Sequence, residues 1–189
     1  LYPEDWIGNN SLGLVYNGLE EWDKSIERLD VNVKNKVENP YSYENISFAY
    51  RAKGMYAKTE EILQDHLINI SDHFFIHWQL TQTYLCQGEL GLATAEINKA
   101  ISLSPDNTSN IILKGDVHLY KGEWVKAEKE YKRLIERDEP SHQRIGRLSY
   151  ADLNILQGKY DRAKEQIKQE LDWQKRQVRK AGHRVFIPI

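Results

Sequence analysis

Apolar residues recur along this chain at helical spacing rather than in the strict alternation of a half-buried strand. Leu29/Val33, Leu63/Leu67, Ile97/Ile101, Tyr131/Ile135 and Ile167/Leu171 are pairs four apart, the spacing of one helix face. A small residue precedes each pair: Ser25, Thr59, Ala93, Ala127 and Ala163. Further upstream lies a second small series, Gly13, Ser47, Thr81, Gly115 and Ala151. Between the two series stand Glu20, Gly54, Gly88, Gly122 and Gly158, suited to a helix end that closes on a left-handed residue. Two residues later a bulky residue follows: Trp22, Tyr56, Leu90, Trp124 or Tyr160. Each unit therefore reads as two short amphipathic helices joined by a turn. The small residues mark their closest approach, where a larger side chain would overpack the contact by roughly 1–3 kcal/mol.

The pattern returns every 34 residues, giving repeats at 6–39, 40–73, 74–107, 108–141 and 144–177. A period of this size predicts stacked repeats rather than a globule around one centre. A two-residue insertion near Pro140, Ser141, His142 and Gln143 is expected either to lengthen a loop or to add a partial turn ahead of the fifth unit.

Leu12-Gly13, Tyr16, Ser25 and Leu29, and again Leu80, Tyr84, Ala93, Ile97 and Pro105, resemble the tetratricopeptide repeat (TPR) family. The resemblance runs from residue 6 to about residue 177. It implies an all-α fold, a right-handed α-solenoid superhelix of five helix–turn–helix repeats. Lys114, His118 and Asn154 depart from the pattern, as do Val37, Ser71, Glu139 and Lys175 at the closing proline. Residues 1–5 align with residues 103–107 and are expected to be the end of a truncated preceding repeat. Gly182 and Pro188 are expected to stop the last helix, which should run from about Asp161 to Lys180. Residues 178–189 then comprise the helix end and an extended apolar tail.

An apolar content of 40% and a charged content of 29% exclude a disordered class. The net charge of −2 gives no general attraction to nucleic acid or acidic membranes, so neither partner is expected. No stretch approaches the roughly 20 apolar residues that a membrane span needs. The single Cys86 excludes an intrachain disulfide and fits a reducing, cytoplasmic setting. Phosphate-binding glycine loops, nucleophile–base orders and paired catalytic carboxylates are missing, which predicts no enzyme and no cofactor. His73 and His77 lie four apart without a third ligand, so packed histidines are expected there rather than a metal site. The basic run Lys175–Lys180 reads as the solvated end of the last helix.

The resemblance implies that the first helix of each unit lines the concave groove. This places Asn10, Leu14 and Asn17 there, followed by Tyr41, Glu44, Phe48 and Arg51, then Phe75, Trp78, Gln82 and Leu85. The later units contribute Ser109, Ile112, Asp116 and Leu119, then Ile145, Leu148, Asp152 and Ile155. Of these, Tyr41, Glu44, Phe48, Arg51, Phe75, Trp78, Gln82, Asp116 and Asp152 form the candidate peptide-binding set. Exposed aromatics make strong anchors for a partner, whereas Ile112, Leu148 and Ile155 are expected to be covered by packing. Some relatives hold a chain-terminal carboxylate with a clamp of Lys, Asn and Arg. Here Asn10, Ser11, Leu14, Glu44, Asn45 and Phe48 occupy the clamp positions without a lysine, so no clamp is expected. The resulting expectation is a non-catalytic protein-interaction module. Two alternatives stand beside it: a regulatory segment of a larger protein, such as a Ser/Thr kinase or cyclase, and a self-assembly unit. Val185, Phe186, Ile187 and Ile189 are expected to pack on the last helix pair or in a second copy's groove.

Overall fold

The computed structural model describes residues 5–184, so the apolar tail Val185–Ile189 and most of residues 1–5 lie outside the described residues. Within them the chain forms ten α-helices in sequence. These are α1 (Trp6–Gly18), α2 (Trp22–Lys34), α3 (Pro40–Ala52), α4 (Tyr56–Asn69) and α5 (Phe74–Gln87). There follow α6 (Leu90–Leu103), α7 (Thr108–Tyr120), α8 (Trp124–Ile135), α9 (Pro140–Leu156) and α10 (Tyr160–Arg184).

Local chemistry explains several helix starts. The Asp5 side chain accepts the Gly8 N–H at 3.0 Å and caps α1. Asn39 caps α3 through the Tyr41 N–H at 2.9 Å, with Pro40 at the first helical position, where its missing N–H costs nothing. His73 Nδ1 accepts the Phe75 N–H at 3.2 Å ahead of α5. The five turn positions all adopt positive φ: Glu20 at 58°, Gly54 at 71°, Gly88 at 77°, Gly122 at 72° and Gly158 at 72°.

All ten small positions are buried. At Gly13 an added Cβ would lie 2.4 Å from Leu29 Cγ, and at Gly115 it would lie 2.3 Å from Tyr131 Cε1. The Ser25 hydroxyl donates to the Gly13 carbonyl at 2.9 Å, tying the two small positions of one unit together. Small residues are required here because a neighbouring core side chain already fills the space.

The chain divides after Leu113 into two compact units. The first is built on Leu29, Tyr43, Ile46, Leu63, Ile76, Leu80 and Ile97, all essentially inaccessible. In it α3 packs against α1 and α5 as well as against α2 and α4. The second is built on Ala127, Tyr131, Leu134 and Leu153, with α9 packed between α8 and α10.

The insertion adds a partial turn ahead of the fifth unit, one of its two expected outcomes, because α9 starts at Pro140 and takes the extra residues into a 17-residue helix. Two expectations are corrected. The last helix does not stop near Lys180. It continues through Gly182 and His183 to Arg184, a single glycine costing only about 1 kcal/mol in a helix. Ile167 and Leu171, expected on the covered face, are 37% and 49% exposed. Helix α10 packs along α9 and turns Ala163 and Glu170 inwards instead. Glu170 is held there by Arg147, whose Nε and Nη2 donate to Glu170 Oε2 at 2.9 and 2.7 Å.

Candidate functional site

Helix α3 presents Tyr41, Glu44, Phe48 and Arg51 at steps of three and four, a single stripe along one face. Leu14 and Asn17 on α1 and Phe75, Trp78 and Gln82 on α5 make the corresponding stripes on the helices that flank it. Together they form a pocket of about 490 Å³ in the first unit, lined by Leu14, Asn17, Gly18, Glu44, Asn45, Phe48, Arg51, Trp78 and Gln82.

One wall of the pocket is aromatic. Phe48 is 48% exposed and meets the Trp22 ring edge-on, with centroids 5.7 Å apart. Trp78 stacks on Phe75 at 5.5 Å and 5° between ring planes, and its Nε1–H donates to the Ser109 carbonyl at 3.3 Å. Tyr41, 60% exposed, meets Phe75 edge-on at 5.8 Å. Tyr41 and Phe75 thus buttress the aromatic wall without lining the pocket. Such rings offer large apolar contact area with little conformational freedom to lose.

Arg51 carries the opposing polarity. Its Nη1 and Nη2 donate to Gln79 Oε1 and Gln82 Oε1, each at 2.9 Å. Burial pulls the guanidinium down to about 10, with Cys86 and Glu44 acting the other way. Burial also raises the Glu44 carboxyl above its ordinary value, partly offset by Arg51. On the other side, Asn17 Nδ2 donates to the Asn45 carbonyl at 2.9 Å, and Asn45 Nδ2 to Asn10 Oδ1 at 3.1 Å. Gly18 was missed as a lining residue. Gly18 lies four beyond Leu14 on the same face, so helical spacing alone could have found it.

Of the sequence-predicted set, Glu44, Phe48, Arg51, Trp78 and Gln82 meet in this pocket. Asp116 and Asp152 belong to the second unit. Asp116 is raised by burial, although it accepts the Tyr131 hydroxyl at 2.6 Å, and Asp152 is exposed. Leu148 and Ile155, expected to be covered, are 37% and 39% exposed, and Ile112 is half-buried. The pair at 148 and 155 sits seven apart on α9, on a face the described helices leave open.

The histidines resolve differently from a metal pair. His77 is buried with Nδ1 2.5 Å from Glu96 Oε2 and Nε2 2.8 Å from Asp72 Oδ1. Burial opposes its charge, but the two carboxylates outweigh that and raise its pKa. His73 is occupied in capping α5. Among the described residues no group of three or more His, Cys, Asp or Glu side chains could hold a metal ion. None of the described helices is long and apolar enough to cross a membrane.

Neither a family profile nor a curated protein sequence matches the chain. Solved structures do. TTC0263, a thermophilic TPR protein in Thermus thermophilus, is 18% identical with a TM-score of 0.72, over 95% of this chain and 98% of that one. MamA from Desulfovibrio magneticus RS-1 is 12% identical with a TM-score of 0.60, over 87% of this chain and 96% of that one. YrrB, described as a TPR protein with an unusual peptide-binding site, is 16% identical with a TM-score of 0.54, over 90% of this chain and 87% of that one. With its paired helices, left-handed turns and small-residue contacts recurring as the repeat pattern requires, the chain has the tetratricopeptide-repeat fold.

Proposed function

We propose that this chain is a non-catalytic protein-interaction module that holds an extended segment of a partner in the pocket of its first unit. The observation that carries this reading is the aromatic wall of exposed Phe48 and half-buried Trp78, opening onto a pocket of about 490 Å³. Exposed rings in a preformed cleft release ordered water on contact and lose little entropy. The description of YrrB as a peptide-binding protein of this fold is in keeping with that use. Tyr41 and Phe75 orient the wall, and Glu44, Arg51 and Gln82 supply its polar contacts. Asp116 and Asp152 are proposed as polar contact points of the second unit.

The double variant Phe48→Ala/Trp78→Ala tests the reading. Pull-down mass spectrometry with wild type and variant side by side should show partners retained by the first and lost by the second. Circular dichroism should give the same helical content for both. Equal capture by the two proteins would refute the role of the pocket. Loss of helical signal would make the two rings structural.

A further inference from the structure

We propose that Arg51 is the receptor for an aspartate or glutamate side chain within the bound segment, with an apolar side chain of that segment resting on Phe48 and Trp78. This rests on the peptide-holding role proposed above and names the chemistry of the occupant.

Arg51 stands in the pocket with its hydrogen bonds going to two neutral amide oxygens, those of Gln79 and Gln82. Among the described residues no carboxylate pairs with it. Two of the five guanidinium N–H donors are used, and the rest remain for a planar acceptor such as a carboxylate. A cation withdrawn from water is costly unless a counter-charge offsets it. Glu44 shares the pocket and acts on Arg51 electrostatically at a distance, but makes no ion pair with it.

Asn17 also lines the pocket, but its unpartnered Oδ1 is closed off from the pocket's open space and takes no part in this assignment. The acidic group is assigned to a side chain rather than to a chain terminus because of reach. A glutamate or aspartate can extend to Arg51 while its main chain stays at the rim. A terminal carboxylate would drag main-chain amides onto Phe48 and Trp78, where nothing meets their hydrogen bonds.

The test uses a phage library of random peptides panned on the full chain. Enriched sequences are then synthesised with both ends blocked and titrated by fluorescence anisotropy. Enrichment of Asp or Glu next to an aromatic or aliphatic residue is expected. Arg51→Gln should weaken binding at least about tenfold, and so should the acid-to-amide change in the peptide. The two changes together should cost little more than either alone. Arg51→Lys, which keeps the charge and loses the planar fork, should recover part of the affinity, and thermal melts of both variants are followed alongside. Should Arg51→Gln unfold, the acid-to-amide peptide titrated on wild type decides the question alone. Peptides that bind Arg51→Gln as tightly as wild type, yet need Phe48 and Trp78, would overturn the carboxylate assignment and leave the pocket reading standing. Binding that requires a free peptide C-terminus would overturn it equally. If no peptide is enriched, or if enriched peptides ignore Phe48→Ala/Trp78→Ala, both readings fall.

Discussion

At the turn inside each of the five units the backbone enters the left-handed region, and at the first of these the residue is Glu20 rather than glycine. A side chain at φ 58° crowds its own backbone, at a cost on the order of 1 kcal/mol. Glu20→Gly should therefore stabilise the protein by about 0.5–1 kcal/mol, part of the gain being offset by glycine's freedom in the unfolded chain. Gly54→Ala should do the reverse, costing about 1 kcal/mol, since no steric neighbour lies near that position and only its φ of 71° opposes the change. Urea titrations of the two variants, moving in opposite directions, check the argument. These positions were legible in the sequence because backbone conformation is a local property. The orphaned Asn17 acceptor was not legible, since whether a polar atom finds a partner depends on which helix arrives beside it.

At the level of the element, His77 ties α5 to Glu96 of α6 and to Asp72 in the preceding turn. Its pKa is raised above 6.5 in the folded protein, so its stabilising contribution is complete below 6.5 and disappears as pH rises through the folded value. Glu96 is lowered below 4.5, since His77 and Lys99 outweigh the effect of its burial. Its own contribution is therefore present above 4.5 and lost only in acid. The stability gap between wild type and His77→Gln should be widest around pH 5.5–6.5 and narrow towards pH 9, read as urea midpoints. A gap independent of pH would mean that the imidazole acts by packing alone. The sequence placed His77 on a buried face but could not pair it, because Glu96 lies on the following helix. Helix α10 shows the same limit. The spacing of Ile167 and Leu171 matched the earlier units, yet the buried position on that helix went to Glu170. Glu170 turns inwards because Arg147, on α9, delivers the counter-charge.

Across the whole molecule, stacked repeats predict that damage stays near its source. Gly13→Ala places a methyl 2.4 Å from Leu29 Cγ, and should cost about 1–2 kcal/mol after the helix-forming gain of alanine. Hydrogen exchange should show protection lost mainly in α1–α3, with little change in α8–α10. Uniform loss along the chain would indicate one cooperative core instead. The sequence by itself determined the 34-residue period, the paired helices, the turn geometry and the helix faces, because each rests on local conformation and short-range spacing. It also nominated Phe48, Arg51 and Trp78 through their register. Only the tertiary structure decided that the guanidinium of Arg51 is met by glutamine amides and, among the described residues, is paired with no carboxylate. Only the structure showed that Phe75 and Tyr41 buttress the pocket rather than line it, and that α10 buries a glutamate. Those outcomes depend on which side chains separate helices bring within hydrogen-bond or van der Waals reach, and that is settled by packing between elements.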